Sequence, residues 1–342
     1  WCFAVFMLFI VLAYEAVNIL FYRQNEQKDT RISVYGFIIV ISCFLQAMFG
    51  VVQFFGFFQI STTLWVTGSF DNPAGFAACL CAGFPFVGFL LSDSNKYIRY
   101  VGGLIGFVIV IAVILSQSRA GIMSIAFICF ILLNMKFFHK RWVKYLSLLC
   151  FALLLSGCYW MKKDSADGRL LIWRCSVSMV KDAPWLGHGI GSFEARYMDY
   201  QADYFRQYGL NRYSMLADNV KHPFNEYLGV LLNFGFVGLL MILALITLLI
   251  YCYKKHPCAE KRIAFYSLIS IGVFSFFSYT FTYPFTWIVT FLCIIILTKE
   301  YIAKVFTCPI IKNTVCIFIL LCSFWGIYNL VKRVMAEKEW GN

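Results

Sequence analysis

Apolar residues run along this chain in blocks of about twenty, the length needed to cross a bilayer as a helix. The blocks lie at 1–22, 32–60, 75–91, 98–115, 120–138, 143–160, 225–253, 263–281, 283–298 and 310–331. They predict an all-α polytopic membrane protein with about ten transmembrane helices. No strand-period alternation of the barrel type is visible. The second and seventh blocks are long enough to tilt or to project beyond the bilayer. The ninth is short and follows Thr282, Tyr283 and Pro284, which reads as a half-helix or part of a broken hairpin. Four regions follow: six spans in 1–160, one large helical loop in 161–221, about four spans in 222–331, and a charged tail in 332–342. Because Trp1 opens directly inside an apolar block, the chain is expected to begin part-way into a longer protein.

The loop has its own pattern. Between Gly168 and Val180, Leu170, Trp173, Val177 and Val180 recur at helical spacing, and Asp182 to Pro184 close the segment. This predicts an amphipathic helix lying on the membrane or on the bundle. GHGIGSF (187–193) reads as a glycine-rich turn. A second helix is expected from Glu194 to Tyr208, with Tyr197, Tyr200, Tyr204 and Tyr208 on one face.

Composition supports the membrane reading. The chain is 61% hydrophobic and only 13% charged, against about a quarter charged in soluble domains. The net charge of +12 matters less than where it sits. Arg23, Lys28 and Arg31, then Lys96 and Arg99, then Lys136 to Lys144, then Lys254 to Arg262, then Lys299 and Lys304 fall in alternate short loops. By the positive-inside rule these loops are cytoplasmic anchors, with no nucleic-acid partner implied. The 61–74, 116–119, 161–221 and 282–284 segments then meet at the outer face. Most of the 14 cysteines lie within apolar blocks and read as small hydrophobes. No Cys/His spacing suggests a metal.

The unusual polar residues collect on that outer side. Arg119, within SQSRAG (116–121), is the basic residue of the short outer loops. It reads either as a guanidinium fork for a phosphate or diphosphate or as a side chain snorkelling to the interface. Arg169 and Arg174 bracket the first loop helix and suit an anionic group or solvent. His188 sits in the glycine turn, which reads as a tight turn or as a backbone nest for an anion. The tyrosine stripe suits an interfacial belt or stacking on sugar rings. Asp71, Asn72 and Pro73 form a helix start, with a secondary catalytic reading for Asp71. At the seam 218–238, Asn225 or Asp218 caps a helix and Glu226 suits its dipole. His222 has no such structural explanation, and its imidazole suits a general base toward a hydroxyl.

Four of these motifs together resemble the bacterial O-antigen ligase and polymerase superfamily, which includes protein O-oligosaccharyltransferases. SQSRAG is similar to its Ser-Arg-Gly-type motif after a span. GRLLIWR with DAPWLGHGIGSF is similar to its loop pattern. HPFNEYLGVLLNFGFVGLL is similar to its His-Asn passage into the next span, and TGSFDNPAGFA to an earlier Asn-Pro segment. The resemblance covers most of 60–245. It implies a GT-C-like fold and a metal-independent glycosyltransferase without cofactors, in the bacterial inner membrane. The implied donor is a glycan on undecaprenyl diphosphate at the periplasmic face. The implied acceptor is a hydroxyl of lipid A core or of a protein. A polymerase of the same superfamily is one alternative, and a lipid or glycan transporter another. Carried over, Arg119 holds the diphosphate with help from Arg169, and His222 is the base. The chain departs from the family pattern in two places. Phe224, not histidine, stands immediately before Asn225, which leaves Glu226 or Asp218 as other bases. Asn233 takes the place of a Glu before Phe-Gly.

Overall fold

The computed structural model describes residues 28–57, 66–136, 141–161 and 163–305, with isolated helical positions beyond. Among these residues the chain is helical throughout, without strands. The helices are α1 (Lys28–Phe54), α2 (Pro73–Leu91, with a 3-10 turn at Phe84–Phe86), α3 (Lys96–Leu115), α4 (Arg119–Lys136) and α5 (Arg141–Met161). They continue with α6 (Lys163–Asp182), α7 (Ser192–Tyr208), α8 (Glu226–Lys255), α9 (Ala259–Ser275) and α10 (Pro284–Val305).

Helices occupy the second through ninth predicted segments, but five are long and apolar enough to cross a membrane: Tyr35–Phe54, Pro73–Leu91, Lys96–Leu115, Glu226–Lys255 and Pro284–Tyr301. α4 is a shorter apolar helix that opens on Arg119. α9 is 17 residues long and carries Glu260, Lys261 and Arg262 in its first turn. Segments 1–22 and 310–331 and the tail lie outside the described residues, apart from the isolated positions. The ninth segment differs from expectation. Pro284 begins a continuous helix of 22 residues and does not break one. A proline at the first helical position has no partner to lose and a φ already suited to the helix.

α2 is the axis of the membrane core. Every residue from Gly75 to Gly83 is buried, and most are Gly, Ala or Cys. Small side chains let neighbouring backbones approach closely where lipid supplies no hydrophobic drive between helices. A Cβ at Gly121 would stand 2.9 Å from the Ala77 and Val113 side chains. Serines fasten the seams: Ser267 and Ser270 of α9 donate to the Ala82 and Cys81 carbonyls at 2.7 Å each.

A second core joins α6, α7 and the start of α8 through Leu171, Cys175, Met179, Phe193, Tyr197 and Leu232. The buried stripe of α6 is therefore Leu171, Cys175 and Met179, next to the predicted one. Val177 is exposed, and Trp173 turns its indole N–H to the Pro223 carbonyl at 2.9 Å. The tyrosine stripe of α7 packs this core. Tyr197 is buried and stacks on Phe193, while Tyr208 at the far end is exposed.

The glycine-rich turn has an unexpected task. α8 breaks at Gly235, whose φ is 62° and ψ −159°. In a continuous helix the Phe236 and Val237 amides would bond the Leu232 and Asn233 carbonyls. Here those amides donate to the Pro184 and Trp185 carbonyls at 2.8 and 3.2 Å. The Leu232 and Asn233 carbonyls accept instead from the His188 and Gly189 amides at 2.7 and 3.1 Å. The 184–189 loop thus splints the broken helix, and all four exposed backbone groups are satisfied, as burial requires. Asn233, where the family pattern has Glu, accepts from the Ser192 hydroxyl at 3.3 Å.

Candidate active site

Each wall of the site is a helix end. Ser116 terminates α3 and donates back to the Val113 carbonyl at 2.7 Å. Gln117 then takes a left-handed φ of 52°, a conformation that costs a non-glycine residue of order 1–3 kcal/mol and concentrates at functional sites. Ser118 caps α4 through the Gly121 amide at 3.4 Å. Arg119 is consequently the first residue of α4. Its charge opposes the positive end of the helix dipole, so the placement is not explained by helix stability.

Opposite stands α6. Arg119 donates to the Ser165 hydroxyl at 2.8 Å, and Arg169 follows one turn later on the same helix. The Arg169 guanidinium donates to the Phe277 carbonyl at 2.6 Å and lies over the Phe224 ring, 4.9 Å from its centre. Burial, and after it the like charge of Arg119, lowers its pKa to about 10. It remains protonated at neutral pH. Two guanidinium groups are thus held near each other at the mouth of two helices.

The third wall comes from the N-terminus of α2 and from the stretch between α9 and α10. Asn72 caps α2 by accepting from the Gly75 amide at 2.9 Å. The same amide oxygen accepts from the Tyr283 hydroxyl at 2.9 Å, and its nitrogen donates to the Tyr279 hydroxyl at 3.4 Å. Phe224 completes the enclosure with a φ of 52°, the second left-handed non-glycine residue among the described residues.

Together these walls surround a cavity of about 440 Å³, lined by Asn72, Gln117, Arg119, Ser165, Arg169, Phe224, Ser278 and Tyr279 among others. The described lining contains no Asp or Glu. Its two permanent cations and its hydroxyl, amide and backbone groups suit a ligand with anionic oxygens. A diphosphate accepts forked hydrogen bonds from guanidinium groups.

The structure separates the other candidates. His222 is half-buried beside the cavity, not in its lining. Its ring stacks on Tyr279 with centres 4.8 Å apart and planes at 24°. Burial lowers its pKa below 6.5, Glu194 opposes that, and Lys221 adds to it, so the imidazole is neutral at pH 7. The neutral state is the one a general base requires. Asn225 caps α8, accepting from the Leu228 amide at 3.0 Å. Glu226 accepts from the Phe281 amide at 2.8 Å and so braces the Thr280–Thr282 turn. The residue in the family's histidine place, Phe224, does line the cavity.

Three candidates go elsewhere. Asp71 is exposed and outside the lining; its neighbour Asn72 faces the site. His188 bonds the Met179 carbonyl at 2.7 Å and Arg196 at 3.0 Å, and it belongs to the loop that splints α8. Arg174 reaches toward Tyr204 and packs over the Tyr213 ring, on the exposed side of the loop. Conversely, the hydropathy pattern gives no reason to select Tyr279 and Ser278. They lie within the apolar block read as 263–281, and the signal that marks them is only the polar cluster Ser275, Ser278, Thr280 and Thr282 near its end.

A family model described as O-antigen ligase matches residues 104–243. Over those residues the chain is similar to the O-antigen ligase superfamily, which supports the resemblance its motifs carry. The matched segment carries Arg119, Arg169, Phe224, His222 and Glu226, whereas Asn72, Ser278 and Tyr279 lie on either side of it. No curated protein matches the chain. The apolar helices and the match together indicate a multi-pass membrane protein, and the matched family suggests an enzyme of the O-antigen ligase and polymerase type with lipid-linked glycan substrates.

Proposed function

We propose that this O-antigen ligase-type enzyme transfers a glycan from undecaprenyl diphosphate to an acceptor hydroxyl, of lipid A core or of a protein, at the periplasmic face of the inner membrane. The observation that carries the reading is the meeting of Arg119 and Arg169 in one cavity, close enough for one charge to lower the other's pKa. An anion between them relieves that repulsion. The distribution of Lys and Arg among the short loops supports an outward orientation for this end of the helices, where lipid-linked glycans are presented in the resembling family.

The residues supply the chemistry in order. Arg119 and Arg169 hold the two phosphates, and their charges stabilise the negative charge that grows there as the bond to the sugar breaks. The acceptor oxygen attacks the anomeric carbon from the opposite side. The electron pair of the sugar–oxygen bond leaves with the lipid diphosphate, and the hydroxyl proton passes to His222. Tyr279 holds the imidazole face, while Asn72 holds Tyr279. The polar protein surroundings replace water around the diphosphate without needing to reorganise.

Arg119→Ala should abolish glycan transfer in cells lacking the wild-type protein, with the variant still inserted in the membrane at normal abundance. Loss of two charge-assisted hydrogen bonds to the diphosphate is worth a factor of roughly 10² or more. Full transfer by that variant would overturn the assignment. The product also identifies the acceptor: one glycan block on a lipid or protein marks a ligase, and a lengthened ladder of repeats marks a polymerase.

A further inference from the structure

We propose that Ser278 is a donor-positioning residue whose hydroxyl donates a hydrogen bond to a non-bridging oxygen of the diphosphate held by Arg119 and Arg169; this rests on the donor-site reading above.

Ser278 lines the same cavity as the two arginines. It is 1% exposed, and its hydroxyl has no hydrogen-bond partner among the described residues. A buried hydroxyl without a partner costs free energy. Its neighbours are all satisfied: Ser275 donates to Thr280 at 2.9 Å, and Thr286 donates to the Thr280 carbonyl at 2.6 Å. The local hydrogen-bond pattern therefore passes over Ser278, a buried residue of the cavity lining whose donor remains available.

The placement of the flanking residues strengthens the case. Phe277 presents its carbonyl to Arg169, and Tyr279 stacks on His222. Three consecutive residues thus touch the diphosphate side, the cavity and the base side in turn. In the donor-site reading, a hydroxyl between them falls where the leaving group and the reacting sugar meet. Its donor proton adds a neutral hydrogen bond to two cationic ones and fixes the rotation of the phosphate, which two guanidinium groups on one side leave open. The segment lies beyond residues 104–243, which the family model matches.

The experiment uses the purified full chain in lipid nanodiscs, with sugar-free undecaprenyl diphosphate as probe and the same lipid bearing one N-acetylglucosamine as second ligand. Ser278→Ala should weaken the sugar-free lipid by roughly tenfold to a hundredfold, as expected for a lost bond to a charged group. Ser278→Thr, which keeps the hydroxyl, should return within about threefold of wild type by the same reasoning. The ligand-free melting temperature of Ser278→Ala should be unchanged or higher, because the deleted hydroxyl has no partner there. A lowered ligand-free melting temperature with undiminished binding overturns the proposal in favour of a structural serine. Weakening seen only with the sugar-bearing lipid overturns it too, since the hydroxyl then addresses the sugar. Arg119→Ala separates the two levels. If it loses the sugar-free lipid while Ser278→Ala does not, Ser278 fails and the donor site stands. If neither variant changes affinity, the donor-site reading itself fails.

Discussion

His222 and Glu226 lie only four residues apart, yet their surroundings differ. The Glu226 carboxylate is already engaged by the Phe281 amide, so a proton taken there would weaken the turn that orders Tyr279 and Ser278. His222 is held by ring stacking, a contact made through the ring face and not through its nitrogens. The sign of its pKa shift gives a test. Burial favours the neutral ring, so the pKa lies below 6.5, and the base is lost only as pH falls through that lowered value. The acid limb of transfer should therefore lie below pH 6.5. Glu194 raises the pKa and Lys221 lowers it, so Glu194→Gln should move the limb to still lower pH and Lys221→Gln to higher pH. Both shifts should be small, because the two side chains are largely exposed and pair with each other at 3.8 Å. His222→Ala should slow transfer by roughly 10²–10⁴-fold and erase the limb. Retained transfer in His222→Ala, with loss in Glu226→Gln, would move the base to Glu226.

At the scale of elements, the break in α8 ties the loop to the site. The splint formed by residues 184–189 fixes α6, which carries Arg169, against the helix that begins beside His222. It works only with glycine at two points. A Cβ at Gly187 would fall 2.6 Å from the backbone of Asn233 and Phe234, and one at Gly235 would collide with the Trp185 carbonyl. Both residues also have left-handed φ, 70° and 62°. Gly235→Ala should destabilise the folded chain by about 2–4 kcal/mol, combining backbone strain with a clash. It should raise proteolysis within 183–191 and lower transfer, and normal protease resistance would sink the splint. Much of this element was legible beforehand. Asp182 to Pro184 mark the end of α6, and three glycines in five residues mark a turn. What was hidden is the partner. A glycine in an apolar run reads as a weak point in a helix or a packing site, and nothing local in LLNFGF says that another loop will supply its missing hydrogen bonds. Arg119 and Arg169 were legible for a related reason: each stands in or beside a polar seam that hydropathy exposes, whereas Asn72 read only as part of a helix start beside Asp71. Ser278 and Tyr279 were not. Their facing residues are far away in the sequence, from His222 and Phe224 back to Asn72, 207 positions before Tyr279, and those contacts exist only once the helices pack.

At the scale of the molecule, the two ends of the bundle hold charge differently. The cavity end gathers Arg119 and Arg169 without a lining carboxylate. The opposite end of α9 and α10, roughly 24 Å away along a helix rising 1.5 Å per residue, is cross-paired. Lys261, fully buried, meets Glu300 at 2.6 Å, and Lys299 meets Glu260 at 2.9 Å. Lys261 also donates to the Cys252 carbonyl at 3.4 Å, which draws in the C-terminal end of α8. Two Lys–Glu pairs are thus made within the chain at that end, whereas the cavity lining sets no Asp or Glu beside its two guanidinium groups. Removing one partner of a buried pair strands the other, at a cost of roughly 3–5 kcal/mol. Glu300→Ala should accordingly reduce the amount of folded protein in the membrane, while the folded fraction binds undecaprenyl diphosphate with wild-type affinity. The swap Lys261→Glu with Glu300→Lys should recover part of the lost abundance. Arg119→Ala should do the reverse, leaving abundance normal and removing affinity. An Arg119→Ala chain that is as unstable as Glu300→Ala would show that both ends serve only to hold the bundle together, because a ligand site built from repelling cations gains no folding stability from keeping them.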